Sequence, residues 1–190
     1  MASTTQTSAF KSQADFRAWL MDNHDKCEGI WLRLFKKASG EATVTYAEAL
    51  DEALCFGWID GQKKSLDELS WIQKFTPRRA RSGWSKRNTE HVERLTKAGL
   101  MMPAGILAVE AAKADGRWHT AYESPKNALP PEDFLKALGK DKKAKAFFET
   151  LNRANVYAIV YRLQTAKKAE TRARRMAAIL AMMKRGEKFH

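Results

Sequence analysis

Between positions 48 and 88 the chain interleaves aromatic rings with fixed cations, two residue types that a folded surface usually keeps apart. A cation is attracted to the face of an aromatic ring, and flat rings also stack on nucleotide bases, so the mixture is typical of an anion or nucleotide site. The rings and cations concerned are Phe56, Trp58, Trp71, Phe75 and Trp84, with Lys63, Lys64, Lys74, Arg78, Arg79, Arg81 and Lys86.

A helix predicted to begin at Ser85 would complete such a site, because a helix N-terminus offers unpaired backbone amides and the positive end of its dipole. We expect the arginines around it to bind the anion and two tryptophans to wall the pocket. The predicted ligand-binding residues are Trp58, Asp60, Lys63, Arg78, Arg79, Trp84, Ser85, Arg87 and Asn88. Under the alternative interpretation the arginines are structural and pair with the carboxylates Glu48, Asp51 and Asp60.

The net charge of +12 is concentrated near the C-terminus. Residues 1–139 hold 20 Lys and Arg against 18 Asp and Glu, whereas residues 140–190 hold 14 against 4. Such a field favours polyanions, meaning nucleic acid or an anionic membrane surface, and repels cationic peptides. A helix ending near Ala166 and another beginning near Thr171 loosely resemble a helix-turn-helix. The predicted nucleic-acid-binding residues of this alternative are Lys167, Lys168, Arg172, Arg174 and Arg175.

Other site classes find little support in the sequence. The four histidines form no H-x-x-x-H or H-E-x-x-H pattern, and Cys27 and Cys55 form no C-x-x-C pair, so we predict no metal and no cofactor. The segment GWIDGQKKS lacks the spacing of a phosphate-binding loop, and Asp60 with Gly61 is predicted to form a bulge or a tight bend in a strand. The chain is interpreted as non-enzymatic, although an enzyme with Asp60 or Glu48 as acid or base stays open.

Hydrophobic periodicity predicts an α+β fold, with a small antiparallel sheet flanked by helices and a helical C-terminal unit after it. The first region contains predicted helices at 13–23, 46–56, 85–99 and 103–114 and predicted strands at 30–37, 58–66 and 71–76. Thr45 and Glu48 form a capping box, and Gly57 is a natural helix stop. The predicted organisation is a flexible tail at 1–12, an α+β domain at 13–122, a proline-containing linker at 123–131 and a basic helical unit at 132–190 packed on the first domain.

The N-terminus has no secretory pattern, the cysteines suggest reduced thiols, and no run reaches the roughly 18 apolar residues of a transmembrane segment. We therefore expect a cytoplasmic protein. The oligomeric state is not legible in the sequence.

Three strings resemble the bacterial bacteriocin-protection family called YdeI/OmpD-associated: EALDEALCFGWIDGQKKSLDE, FTPRRARSGWSKRN and MMPAGILAVEAAKADGRW. The resemblance continues through AKAFFETLNRANVYAIVYRLQTAKKAETRARRM to the closing GEKFH, and so covers nearly all of the chain after the first ten or so residues. It implies a role in protection against antimicrobial peptides and supplies no catalytic residues. Together with the residues, it predicts a stress or bacteriocin-protection protein that binds a small anion, with nucleic-acid binding as the alternative.

Overall fold

The computed structural model describes residues 7–124 and 127–190. Residues 1–6 of the predicted tail, and Pro125 and Lys126 of the predicted linker, lie outside this range. The chain divides into two compact units, the first made of residues up to Trp84 with Asn88–Ala121, and the second of Ser85–Arg87 with Tyr122–His190. The domain boundaries given above stay a prediction.

The first unit is built on a four-stranded sheet in the order β1-β2-β4-β3. The strands are β1 (Thr7–Ala9), β2 (Ile30–Phe35), β3 (Trp58–Ser65) and β4 (Ser70–Pro77). β4 lies antiparallel between β2 and β3, with Ile30 opposite Phe75. These are the three strands of the small antiparallel sheet that the sequence predicts. β1 adds a parallel edge strand where the sequence predicts a polar tail, because its pairing with β2 overrides the weak strand preference of three residues.

The predicted bulge in β3 is confirmed. The register with β4 shifts between Asp60, which lies opposite Phe75, and Lys63, which lies opposite Gln73. Beyond this shift Lys63 and Lys64 point to opposite faces of the sheet, since neighbouring strand residues alternate.

The helices of the first unit are α1 (Gln13–Asn23), α2 (Tyr46–Cys55), α3 (Lys86–Lys97) and α4 (Pro103–Ala114), and a 3₁₀ turn covers Lys37–Ser39. The first two residues of α3 fall in the second unit. The capping box of Thr45 and Glu48 opens α2 as predicted, and Gly57, with a φ of 73°, follows its end.

One face of the sheet carries the core of the first unit. Ile30, Leu32 and Leu34 of β2 are buried there with Phe75 of β4. The helices supply the other members of this cluster, among them Phe16, Leu20, Leu50, Leu54, Val92, Leu95 and Val109. Burying these apolar side chains on one face of the sheet is the main stabilising contribution to the unit.

The second unit is helical, with α5 (Glu132–Leu138), α6 (Lys142–Glu149), α7 (Arg153–Gln164) and α8 (Ala169–Arg185). Its core is a separate cluster of Phe134, Leu138, Ala144, Ile159, Leu163, Ile179 and Met183. The fold is therefore α+β with C-terminal helices, as predicted. In the described part of the chain, no helix combines the length and the apolar character that crossing a membrane requires.

Candidate functional site

Trp58 and Trp84, the expected walls of the anion pocket, lie in the hydrophobic core. Trp58 is 1% exposed and its indole N–H donates to the carbonyl of His24 at 3.0 Å. Trp84 is 2% exposed and packs against Trp118 with ring centroids 5.0 Å apart. The expectation that these rings stack on a ligand needs correction, because such burial leaves no ring face for one.

The loop between β4 and α3 is organised around Arg78. The guanidinium carbon of Arg78 lies 3.5 Å from the centroid of the Trp84 ring, and the group also donates to the carbonyl of Gly83 at 3.2 Å. A tight turn follows, in which the backbone N–H of Arg79 donates to Ser82 Oγ at 3.1 Å. Arg78 thus acts as an anchor inside the loop, whereas the side chain of Arg79 is exposed.

Asp60 and Lys63 lie on either side of the register shift in β3, and each side chain contacts a neighbouring residue. The Tyr46 hydroxyl donates to Asp60 Oδ2 at 2.7 Å. The ammonium nitrogen of Lys63 lies 4.2 Å from the centroid of the Trp71 ring. Both predicted ligand groups therefore already make stabilising contacts within the first unit.

The three carboxylates named as structural partners for the arginines have other partners. Glu48 completes the capping box with Thr45. Asp51 accepts from His91 Nδ1 at 2.7 Å and from Arg94 at 2.6 Å. With Asp60 held by Tyr46, none of these contacts involves Arg78, Arg79 or Arg87.

The remaining predicted pocket residues stand at the start of α3. Ser85 and Arg87 belong to the second unit, where Ser85 forms a parallel bridge with Tyr122 and Arg87 is exposed. Asn88 belongs to the first unit and is 8% exposed. The predicted set thus divides between two units, and capping of the Asn88 amide by Ser85 stays a prediction.

The basic turn is defined as residues 165–175, which follow the end of α7 and include the first two turns of α8. Some of its cations are held by contacts within the unit and others are exposed. Arg172 donates to Asp133 Oδ1 at 2.9 Å, and its hydrogen bonds, followed by its charge, hold the pKa of Asp133 below its usual range. Arg175 donates to the carbonyl of Arg162 at 2.8 Å. Three cations of the predicted nucleic-acid-binding set are exposed and have no ion pair among the described residues, namely Lys167, Lys168 and Arg174.

The sequence interpretation missed the rings Trp31 and Phe35, which share the sheet face opposite the core with two of the cations named above. This outer face is defined by Trp31, Arg33, Phe35, Lys64, Ile72 and Lys74. The signal was present in β2, where IWLRLF alternates the buried Ile30, Leu32 and Leu34 with two aromatic residues and an arginine.

No group of His, Cys, Asp and Glu side chains among residues 7–124 and 127–190 is arranged to hold a metal ion. Both cysteines are free thiols. Burial, followed by the nearby charge of Glu52, raises the pKa of the Cys55 thiol to about 11, which disfavours the thiolate that a nucleophile needs.

Two family models match the chain. Residues 8–108 match one described as a domain of unknown function, DUF8412, and residues 128–186 match one described as bacteriocin-protection, YdeI or OmpD-associated. The resemblance to the bacteriocin-protection family is thereby confirmed over residues 128–186, and it supports a bacteriocin-protection function at the family level. The three strings quoted from residues 48–118 lie outside that match. No curated protein and no solved structure matches the chain.

Proposed function

Because the chain belongs to the DUF8412 family over residues 8–108 and matches the bacteriocin-protection family over residues 128–186, we propose that it is a cytoplasmic, non-enzymatic protection protein that binds double-stranded nucleic acid. The observation that carries the proposal is that the basic turn contains two kinds of cation, those held by contacts within the unit and those exposed to solvent. Arg172 and Arg175 fix its backbone, while three neighbouring cations stay exposed. Because the backbone that carries these cations is already fixed, it loses little conformational freedom when they contact phosphates.

The backbone at this turn supports the same ligand class. Lys168 is the N-cap of α8, and because a lysine side chain has no acceptor, it cannot cap the backbone amides of the first turn. Helix N-terminal amides are common phosphate contacts in nucleic-acid complexes. The first exposed positions of α8 include Ala169 and Ala173, which offer no bulky apolar group for insertion into a bilayer. This favours nucleic acid over a membrane surface.

The charge of the second unit also bears on how protection works. A surface that carries 14 cations against 4 carboxylates over residues 140–190 repels cationic peptides. We therefore propose that protection is indirect and acts through the bound polyanion.

The test is fluorescence anisotropy of a labelled 20-base-pair duplex over a range of salt concentrations. We expect the triple variant Lys167→Gln, Lys168→Gln, Arg174→Gln to lower the slope of log K against log[salt] by about 2.7, since each lost phosphate contact contributes about 0.9. The matched control removes three exposed lysines elsewhere in the same unit, with Lys140→Gln, Lys142→Gln and Lys143→Gln, and should keep the slope.

An unchanged slope in the triple variant would refute the proposed contact. Binding to vesicles of anionic lipid, with no binding to the duplex, would assign the turn to membranes instead.

A second candidate function, binding of a small anion, is favoured by the exposed Arg79 on the turn that Arg78 and Ser82 fix. Arg79→Ala leaves the anchor in place and should weaken binding of phosphate or a nucleotide measured by calorimetry. The control is Arg81→Ala, which removes an exposed arginine from the same loop. Equal affinities in Arg79→Ala and the parent protein would exclude Arg79 from any such site.

Two structural features support the cytoplasmic and non-enzymatic parts of the proposal. Cys27 and Cys55 are both free thiols, as is usual in a reducing compartment. Glu48 and Asp60, the carboxylates considered as acid or base, are engaged by Thr45 and Tyr46. Fractionation of the native host should recover the protein with cytoplasmic markers, and recovery with the envelope would refute the location.

A further inference from the structure

The outer face of the sheet in the first unit carries aromatic side chains that do not join either hydrophobic cluster of the described residues. Trp31, Phe35 and Ile72 are half-buried and absent from both clusters, whereas Trp71, on the other face, packs against the core. Large apolar side chains collected on one surface outside the core are a feature of interaction sites.

Cations cover these rings. The ammonium nitrogens of Lys64 and Lys74 lie 4.6 Å and 5.8 Å from the centroid of the Trp31 ring. The guanidinium carbon of Arg33 lies 4.5 Å from the centroid of the Phe35 ring. The same arrangement, an aromatic ring with a cation above it, therefore occurs twice along β2 on the outer face.

The charges on the outer face are unbalanced. Arg33 is held by Asp67 at 2.8 Å and by Ser70 Oγ at 3.0 Å. Neither Lys64 nor Lys74 forms a salt bridge with any described residue. Three cations and one carboxylate leave two positive charges, both beside Trp31.

We propose that this outer face binds single-stranded nucleic acid, with one base stacked on Trp31, a second on the guanidinium plane of Arg33 that covers Phe35, and phosphates bound by Lys64 and Lys74. The two rings are four residues apart on one strand, or about 13 Å, which leaves room for two separate bases. The lysine side chains are flexible, so each ammonium group can move from the ring to a phosphate while a base takes its place on the ring.

The chemistry of the face selects this ligand over others. A duplex keeps its base faces stacked internally and offers nothing to Trp31 or to the guanidinium plane of Arg33, and an acidic peptide would engage the lysines without needing flat stacking surfaces. An apolar protein surface would bury the two lysine charges without partners. The inference goes beyond the proposed function, because it concerns another surface, in another unit, and contact with bases.

The experiment uses the full chain and a fluorescein-labelled 12-nucleotide oligothymidine in an anisotropy titration. Trp31→Leu keeps an apolar side chain but removes the ring, and we expect it to weaken binding at least about fivefold, the lower limit for one base stack. Trp31→Phe should restore most of the affinity. Lys64→Gln with Lys74→Gln should lower the salt slope by about 1.4, as expected for two single-strand phosphate contacts.

Two controls separate this site from general attraction and from the basic turn. Lys26→Gln with Lys97→Gln removes two exposed lysines from the helical side of the same unit and should leave the slope unchanged. The triple variant of the basic turn should keep the Trp31-dependent part of binding, so that either proposal can fail alone.

The proposal is overturned if the parent protein does not bind the oligonucleotide, or if Trp31→Leu binds it as tightly as the parent. It is also overturned if an unlabelled duplex of equal length competes as well as the single strand. A near-ultraviolet circular dichroism spectrum establishes that each variant is folded, and Trp31→Phe supplies the comparison if Trp31→Leu is not.

Discussion

Replacing Gly105 by alanine tests how closely α4 packs on the C-terminal end of α2. A Cβ atom at this position would lie 2.1 Å from the carbonyl oxygen of Cys55 and 2.7 Å from its carbonyl carbon. Backbone atoms cannot rotate away as a side chain would, so α4 must move by about 1 Å to restore van der Waals separation. The same movement stretches the hydrogen bond from the N–H of Met102 to the Cys55 carbonyl, now 3.0 Å.

The expected magnitude is a balance of three effects. Overpacking costs about 1–3 kcal/mol, and loss of one backbone hydrogen bond costs about 1 kcal/mol. Alanine returns about 1 kcal/mol, since it is the better helix former. We therefore expect Gly105→Ala to lower the free energy of unfolding by about 1–3 kcal/mol, although helix propensity alone predicts the opposite sign.

The assay is urea denaturation followed by tryptophan fluorescence, because all six tryptophans lie in the first unit, at positions 19, 31, 58, 71, 84 and 118. With a slope near 2 kcal/mol per molar urea, the midpoint should fall by about 1 M. The control Ala111→Gly, at an exposed position of α4, should lose only the propensity difference of about 1 kcal/mol. A midpoint of Gly105→Ala at or above that of the parent protein would refute the steric reasoning.

Three further outcomes follow from buried polar groups. Arg17→Met should destabilise the first unit by about 3 kcal/mol in the same urea assay, because Glu52, 3% exposed and 2.7 Å from Arg17, loses its charged partner. Asn155→Ala should cost the second unit about 2 kcal/mol and deprotect the two C-terminal backbone amides, which now donate to its side-chain oxygen at 3.0 Å, in hydrogen exchange. In the native protein Cys55 should resist iodoacetamide at pH 8, and the stability of the first unit should fall from pH 9 to about 11, because the folded state retains the proton that the unfolded thiol releases.

Each of these outcomes has a contrary result. The prediction for Arg17→Met is contradicted if the double variant with Glu52→Gln, in which the charge of the partner is also removed, is no more stable to urea than Arg17→Met alone. Asn155→Ala is contradicted if the terminal amides exchange at parental rates. The Cys55 prediction is contradicted if peptide mapping finds its alkylation at pH 8 as fast as that of the half-buried Cys27.

Local signals in the sequence were sufficient for the elements of the fold. The capping box at Thr45 depends on residues three positions apart, and the bulge after Asp60 on its neighbour Gly61, so both are legible in a short window. The three residues of β1 carry no comparable signal. They form a strand because β2 offers an unpaired edge, which is a property of the assembled sheet.

The candidate site was harder to predict from the sequence, because burial and long-range pairing decide which of its residues are accessible to a ligand. Composition placed Trp58 and Trp84 among cations, whereas strand direction and the fold of the loop turn both rings into the core. The contact between Asp51 and His91 spans 40 positions, and no pattern within either helix predicts it. A count of rings and cations therefore indicates where binding chemistry is available but not which face of the sheet presents it.

The basic turn shows why net charge overstates a binding surface. Of its five predicted contacts, Arg172 and Arg175 are engaged in holding helices together, and a guanidinium with several directed donors suits that task better than an ammonium group. Replacing all five residues would confound loss of structure with loss of binding. A variant restricted to the three exposed cations separates loss of binding from loss of structure. It removes charge that faces solvent and leaves every observed contact of the two arginines intact.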